Sequence, residues 1–111
     1  MNPEIIYSAE TSSITHFRAT DAHPSKHCFV LFSVFGSRSL CSKVGGADPL
    51  LREGYDVFCV QTNNDDWHQA IYPNGIEVLS SVLKKDYEVA FGYGSSMGGF
   101  GAILYLSLIH I

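Results

Sequence analysis

The sequence predicts an α/β fold, a doubly wound and mostly parallel sheet with flanking helices. Three observations predict it. Apolar runs at residues 28–35, 55–61 and 87–93 have strand length, and the segments between them carry helical punctuation and spacing. The alternation strand, helix, strand, helix, strand, helix is the pattern of parallel strands joined by right-handed crossovers. With 46% apolar residues in 111, the chain can bury a core, so disorder is excluded.

The first elements are two short runs, Glu4 to Ser8 and Ile14 to Arg18, separated by the polar Glu10-Thr11-Ser12-Ser13, which reads as a hairpin or meander. Cys28 to Phe35 is continuously apolar and ends at Gly36, the mark of a strand buried on both faces. In Asp48-Pro49-Leu50-Leu51-Arg52-Glu53-Gly54, Asp48 is placed to cap, Pro49 to open and Gly54 to close a short helix. Tyr55 to Gln61 is the next strand. After the polar loop from Thr62 to His68, Asn74 and Glu77 suggest a capping box. Ile76, Leu79, Val82 and Leu83 then recur at helical spacing, and Lys84 and Lys85 complement the dipole of the last turn. Tyr87 to Tyr93 is a third central strand, and helical pattern returns from Met97.

Composition narrows the function. Eleven acidic against seven basic residues give a charge of −4 with no long run, which leaves no footprint for nucleic acid and no polybasic membrane patch. No apolar stretch is long enough to span a bilayer, and Met1-Asn2-Pro3-Glu4 does not begin a signal peptide. Cys28, Cys41 and Cys59 are odd in number, and two of them fall in apolar strands, so a reduced, cytoplasmic setting is expected.

The chemistry concentrates in Gly94-Ser95-Ser96-Met97-Gly98. Ser96 is the central residue of G-x-S-x-G, placed after a strand and before a helix, the setting in which such a serine sits on a sharp turn. Gly94 and Gly98 remove the Cβ atoms that would collide with the neighbouring strand and helix. Ser96 is the candidate nucleophile, with Ser95 the weaker neighbour. The backbone amide of Met97 is the candidate oxyanion donor. A second donor is expected from the loop after the first central strand, where Ser37 is the choice and Gly36 supplies the bend. Gly92-Tyr93-Gly94 with Gly98 fits a dinucleotide loop less well, because it does not open the first strand-helix-strand unit. Asn63 to His68 follows a strand at the same sheet edge and either lines the cleft or is simply solvated. Adjacent Asp65 and Asp66 rarely converge on a metal. Tyr55, Trp67, Tyr72 and Phe100 read as core or loop anchors.

With these residues the chain resembles an α/β-hydrolase, from the opening strands through the nucleophile elbow, over residues 4–105. The stretch Tyr93-Gly94-Ser95-Ser96-Met97-Gly98-Gly99-Phe100 is similar to the G-S-S-M-G-G-[YF] elbow of bacterial esterase-like members, some associated with polysaccharide or surface-glycan pathways. The resemblance implies a serine hydrolase, esterase-like, cleaving an acyl ester in a small-molecule or glycan substrate without a cofactor or metal. Phe35-Gly36 departs from the family's His-Gly pattern but keeps the glycine. Family order places the acid and then the histidine after the serine. His16, His23, His27 and His68 precede it, and His110 lies within or just past the helix that the serine opens. Residues 1–105 are therefore expected to be a partial hydrolase domain, and the chain to be inactive or nearly so alone. The other reading is a non-catalytic hydrolase-like module that binds a glycan or a protein partner. Residues 106–111, Leu106-Ser107-Leu108-Ile109-His110-Ile111, match the translation of a sequencing-library adapter and are expected to be a non-native tail.

Overall fold

The computed structural model describes residues 3–19, 27–33, 39–63, 68 and 71–94. Strands β1 (Glu4–Ser8), β2 (Ser12–Phe17), β3 (His27–Phe32), β4 (Asp56–Thr62) and β5 (Val89–Tyr93) form one sheet in the order β1-β2-β4-β3-β5. Helix α1 (Ala47–Arg52) connects β3 to β4, and α2 (Asn74–Asp86) connects β4 to β5.

The sheet is mixed where the sequence suggested a mostly parallel one. β1 and β2 form the expected hairpin, closed by the Ala9 amide on the Ser12 carbonyl at 2.8 Å, and β2 then lies antiparallel to β4 along its own whole length, from Ser12↔Thr62 to Phe17↔Val57. An antiparallel neighbour needs no crossover, so a hairpin can extend this edge directly. β3 pairs in parallel with β4 on one side and with β5 on the other.

Alternation along the strands divides the core between the two faces. Cys28, Val30 and Phe32 of β3 with Phe58 and Val60 of β4 pack under α2 through Ile76, Leu79 and Leu83. Leu31, Val57 and Cys59 point the other way and meet Ala47, Leu50 and Leu51 of α1. The chain steps from β3 to β4 in one direction and from β4 past β3 to β5 in the other. Helices on opposite faces therefore give the two crossovers the same hand.

Both helix starts differ from the sequence expectation. Gly46, at φ 95°, holds the position before α1, and Asp48 lies inside the first turn, where its carboxylate accepts from Lys43 Nζ at 2.7 Å instead of capping. Asn74 is the first residue of α2 behind Pro73, with no side-chain cap, so the Asn74/Glu77 capping box does not form. Tyr87 ends α2 rather than opening β5, because its amide bonds to the Leu83 carbonyl.

Candidate active site

The carboxyl ends of β3 and β5 lie side by side, with Leu31 in register with Tyr93. In sequence, the segment after β3 carries Ser37 and the segment after β5 carries Ser96. Strand order reverses at β3, and such a reversal opens a crevice at the carboxyl ends of parallel strands. Gly94 directly follows β5 and is half-buried. Ser37, Ser96, Met97 and Gly98 lie outside the described residues, as do Asp65, Asp66, Trp67, Phe100, His110 and the segment 106–111.

The sequence left the loop from Asn63 to His68 open between cleft and solvent, and its two described ends are structural ties. The Asn63 amide bonds to the Thr11 carbonyl at 2.9 Å, and its side chain donates to the Glu10 carbonyl at 3.2 Å. His68 is buried at φ 63°, the left-handed region that a non-glycine residue enters only when its surroundings hold it there. Its Nε2 lies 2.8 Å from the carbonyl of Ser33 at the end of β3, and its ring meets Phe32 edge-on. The Ser33 hydroxyl in turn accepts from the Thr62 amide at 3.3 Å. His68 thus ties the β4–α2 connection to the point where the chain leaves β3.

His16 and His27 stand away from this edge. His27 opens β3 at the amino end and meets Phe91 edge-on. His16 is buried in a polar chain that the sequence did not reveal. It stacks on Phe58 with ring centroids 4.0 Å apart, and its Nε2 is 2.9 Å from the Tyr87 hydroxyl. The hydroxyl donates to Asp56 Oδ2 at 2.6 Å, and Asp56 Oδ1 accepts from the Ala19 amide at 2.8 Å. Because the Tyr87 proton goes to Asp56, the hydroxyl oxygen accepts from a neutral His16. Burial, aided by the Arg18 charge, lowers the His16 pKa to about 4 against the pull of Asp56, Glu4 and Asp86. Burial and then the Asp56 carboxylate push the Tyr87 hydroxyl far above its ordinary range. A carboxylate, Asp56, next to the apolar run from Val57 to Val60 was the one sequence signal for this network.

The cysteines separate by environment. Cys28 and Cys59 are fully buried, and burial raises their thiols to about 12 and about 11. Cys41 is exposed on a loop whose amide bonds to the Ser13 hydroxyl at 2.9 Å. Beside it, Gln61 and Ser42 exchange two bonds of 2.9 Å, and the Val44 amide reaches Cys59 Sγ at 3.3 Å, holding this loop onto the α1 face. Tyr55 packs edge-on against Phe29 as an anchor, whereas Tyr72 lies at the surface.

Among the described residues no group of three or more His, Cys, Asp or Glu is placed to hold a metal ion, and no helix is long and apolar enough to cross a membrane. No family model matches the chain, and neither a curated protein nor a solved structure matches it. The described residues form a mixed α/β sheet in which the carboxyl ends of the parallel strands β3 and β5 lie side by side.

Proposed function

We propose that the protein is a serine hydrolase of the α/β-hydrolase type, cleaving an ester or related acyl bond with Ser96 as nucleophile. The observation that carries this reading is the adjacency of parallel strands β3 and β5, each followed in sequence by one of the two segments the chemistry requires. The Ser96 hydroxyl oxygen attacks the acyl carbon, its proton passes to a base, and the carbonyl becomes an oxyanion facing the Met97 and Ser37 amides. Collapse expels the alcohol, and water then releases the acid and restores the serine. The base and the acid that orients it belong, in family order, on the C-terminal side of Ser96. Neutral His16 is buried among Phe58, Tyr87 and Asp56, which gives it a packing role in this scheme.

Fluorophosphonate labelling of Ser96 in a folded protein that carries the base and its orienting acid tests the proposal. Ser96 is expected to be modified, and modification to vanish in Ser96→Ala and on denaturation. A folded protein that stays unlabelled at Ser96 favours a module that binds a glycan or a protein partner without turnover.

A further inference from the structure

A pocket of about 390 Å³ lies on the α1 face, between the end of β2 and the helix. Phe17 pairs with Val57 near the start of β4, so the pocket sits at the amino end of that strand, away from the crevice at the carboxyl ends of β3 and β5. Its volume is that of a small-molecule site. Among the described residues, Phe17 and Leu51 give it apolar surface, and Arg18, Lys43, Arg52 and Asp48 give it charge. Three of the chain's seven Lys and Arg residues thus meet at one place in a protein of net charge −4.

The carboxylates nearby do not balance these cations. Glu4 accepts from Arg18 Nη1 at 3.2 Å, which leaves the rest of a five-donor fork unused. Asp48 accepts from Lys43 Nζ at 2.7 Å. Arg52, in the last turn of α1, makes no hydrogen bond or ion pair among the described residues, and it acts on Asp48 only through space, behind the bond and charge of Lys43. One carboxylate therefore serves two cations, and the excess positive charge rests on Arg52. The Lys43 ammonium stands 5.8 Å from the centre of the Phe17 ring, a cation–π contact that joins charge and aromatic surface in one wall.

These surfaces select the ligand. A bare anion would leave Phe17 and Leu51 uncovered, whereas a neutral hydrocarbon would strip water from the cations and return nothing for it. Cations from three places, the end of β2, the loop before α1 and the last turn of α1, suit an acceptor with three oxygens, and the guanidinium fork matches phosphate. We propose that this pocket binds a phosphomonoester carrying an apolar or aromatic group, its phosphate held by Arg18, Lys43 and Arg52 and its apolar part laid on Phe17 and Leu51. The site depends on neither Ser96 nor the hydrolase reading.

Phenyl phosphate titrated into the full chain tests the proposal, with the resonances of Phe17, Leu51 and Arg52 followed by NMR. Saturable shifts are expected. Binding should weaken about tenfold or more when ionic strength rises from about 0.01 M to about 1 M, since the screening length falls from about 30 Å to about 3 Å. Inorganic phosphate should bind about tenfold or more weakly than phenyl phosphate because it buries no ring, and benzoate, with two oxygens, should also bind more weakly. Arg52→Gln should cost about tenfold or more and Arg52→Lys less, while Lys84→Gln, on the opposite face of the sheet, should change nothing. Arg52 is exposed, so its replacement leaves the core intact, and Arg18→Gln gives a second measure of the same site.

Three results would overturn the site: no saturable shift at millimolar phenyl phosphate, equal losses in Arg52→Gln and Lys84→Gln, or affinity that survives both Arg52→Gln and Arg18→Gln. Benzoate binding as tightly as phenyl phosphate would overturn phosphate as the recognised group. Inorganic phosphate binding as tightly would overturn the apolar half.

Discussion

Replacing Tyr87 by phenylalanine removes one oxygen and leaves the ring packed. Its cost can be worked from the two bonds that oxygen makes. The bond to Asp56 Oδ2, at 2.6 Å, has an ionised acceptor and belongs to the stronger class, about 1.5–3 kcal/mol. The bond from His16 Nε2, at 2.9 Å, is neutral and contributes about 1 kcal/mol. Asp56 is only half-buried, so water can replace part of what it loses, but the His16 N–H is left in an apolar setting against Phe58. A net loss of about 2–3 kcal/mol follows, with no cavity contribution because the ring volume is kept. For a domain of this size that lowers the unfolding midpoint by roughly 10 °C. Urea and thermal unfolding at pH 7, followed by far-ultraviolet circular dichroism, measure it, and the urea slope should be unchanged. A double-mutant cycle with Asp56→Asn should show coupling of about 1 kcal/mol or more. If Tyr87→Phe unfolds within 0.5 kcal/mol of the parent, the hydrogen-bonded chain contributes nothing and the reasoning fails.

The same network sets a pH dependence. The folded-state pKa of His16, about 4, lies below its ordinary 6.5, so between these values the unfolded chain binds a proton that the folded one refuses. This component of stability is complete above pH 6.5 and is lost as pH falls toward 4. The gap is worth roughly 3 kcal/mol, and His16→Gln, which retains a donor toward Tyr87, should flatten the profile relative to the parent across that window. Gly75→Ala should destabilise by about 1 kcal/mol in urea unfolding despite alanine's better helix propensity, because the added Cβ would lie 2.7 Å from Ile71 Cγ1 and 3.2 Å from Tyr7; a stabilised variant would show that the helix shifts freely. With a thiol reagent at pH 8, Cys41 should react in the folded state and Cys28 and Cys59 only on unfolding, given their burial and raised pKa values. Modification of Cys28 at the Cys41 rate would contradict the packing of the α2-face core.

The existence and order of the described elements were legible in the sequence because their signals are local. A continuous apolar run such as Phe29 to Phe32 can be satisfied only between two covered faces, and the spacing of Ile76, Leu79 and Leu83 makes one stripe on a helix. The ends of the elements were less legible, since neighbours competed for the capping groups. Asp48 has the chemistry of a cap, but the Lys43 ammonium holds its carboxylate, a contact made by a loop whose own position depends on Gln61 and Ser13.

Strand order was decided only by tertiary structure. Nothing local tells β2 to lie against β4, or β5 to lie beyond β3, because these pairings satisfy backbone groups far apart in the chain. The sequence by itself named Ser96 and Ser37 from the glycines and the strands that precede them. Only the sheet brought the ends of β3 and β5 together, placed His68 at the end of β3 and withdrew His16 into a buried chain with Tyr87 and Asp56. The physical reason is one of range. Backbone propensity and apolar periodicity act over a few residues and fix what each segment becomes, whereas shared burial and hydrogen bonding across the sheet fix which segments meet.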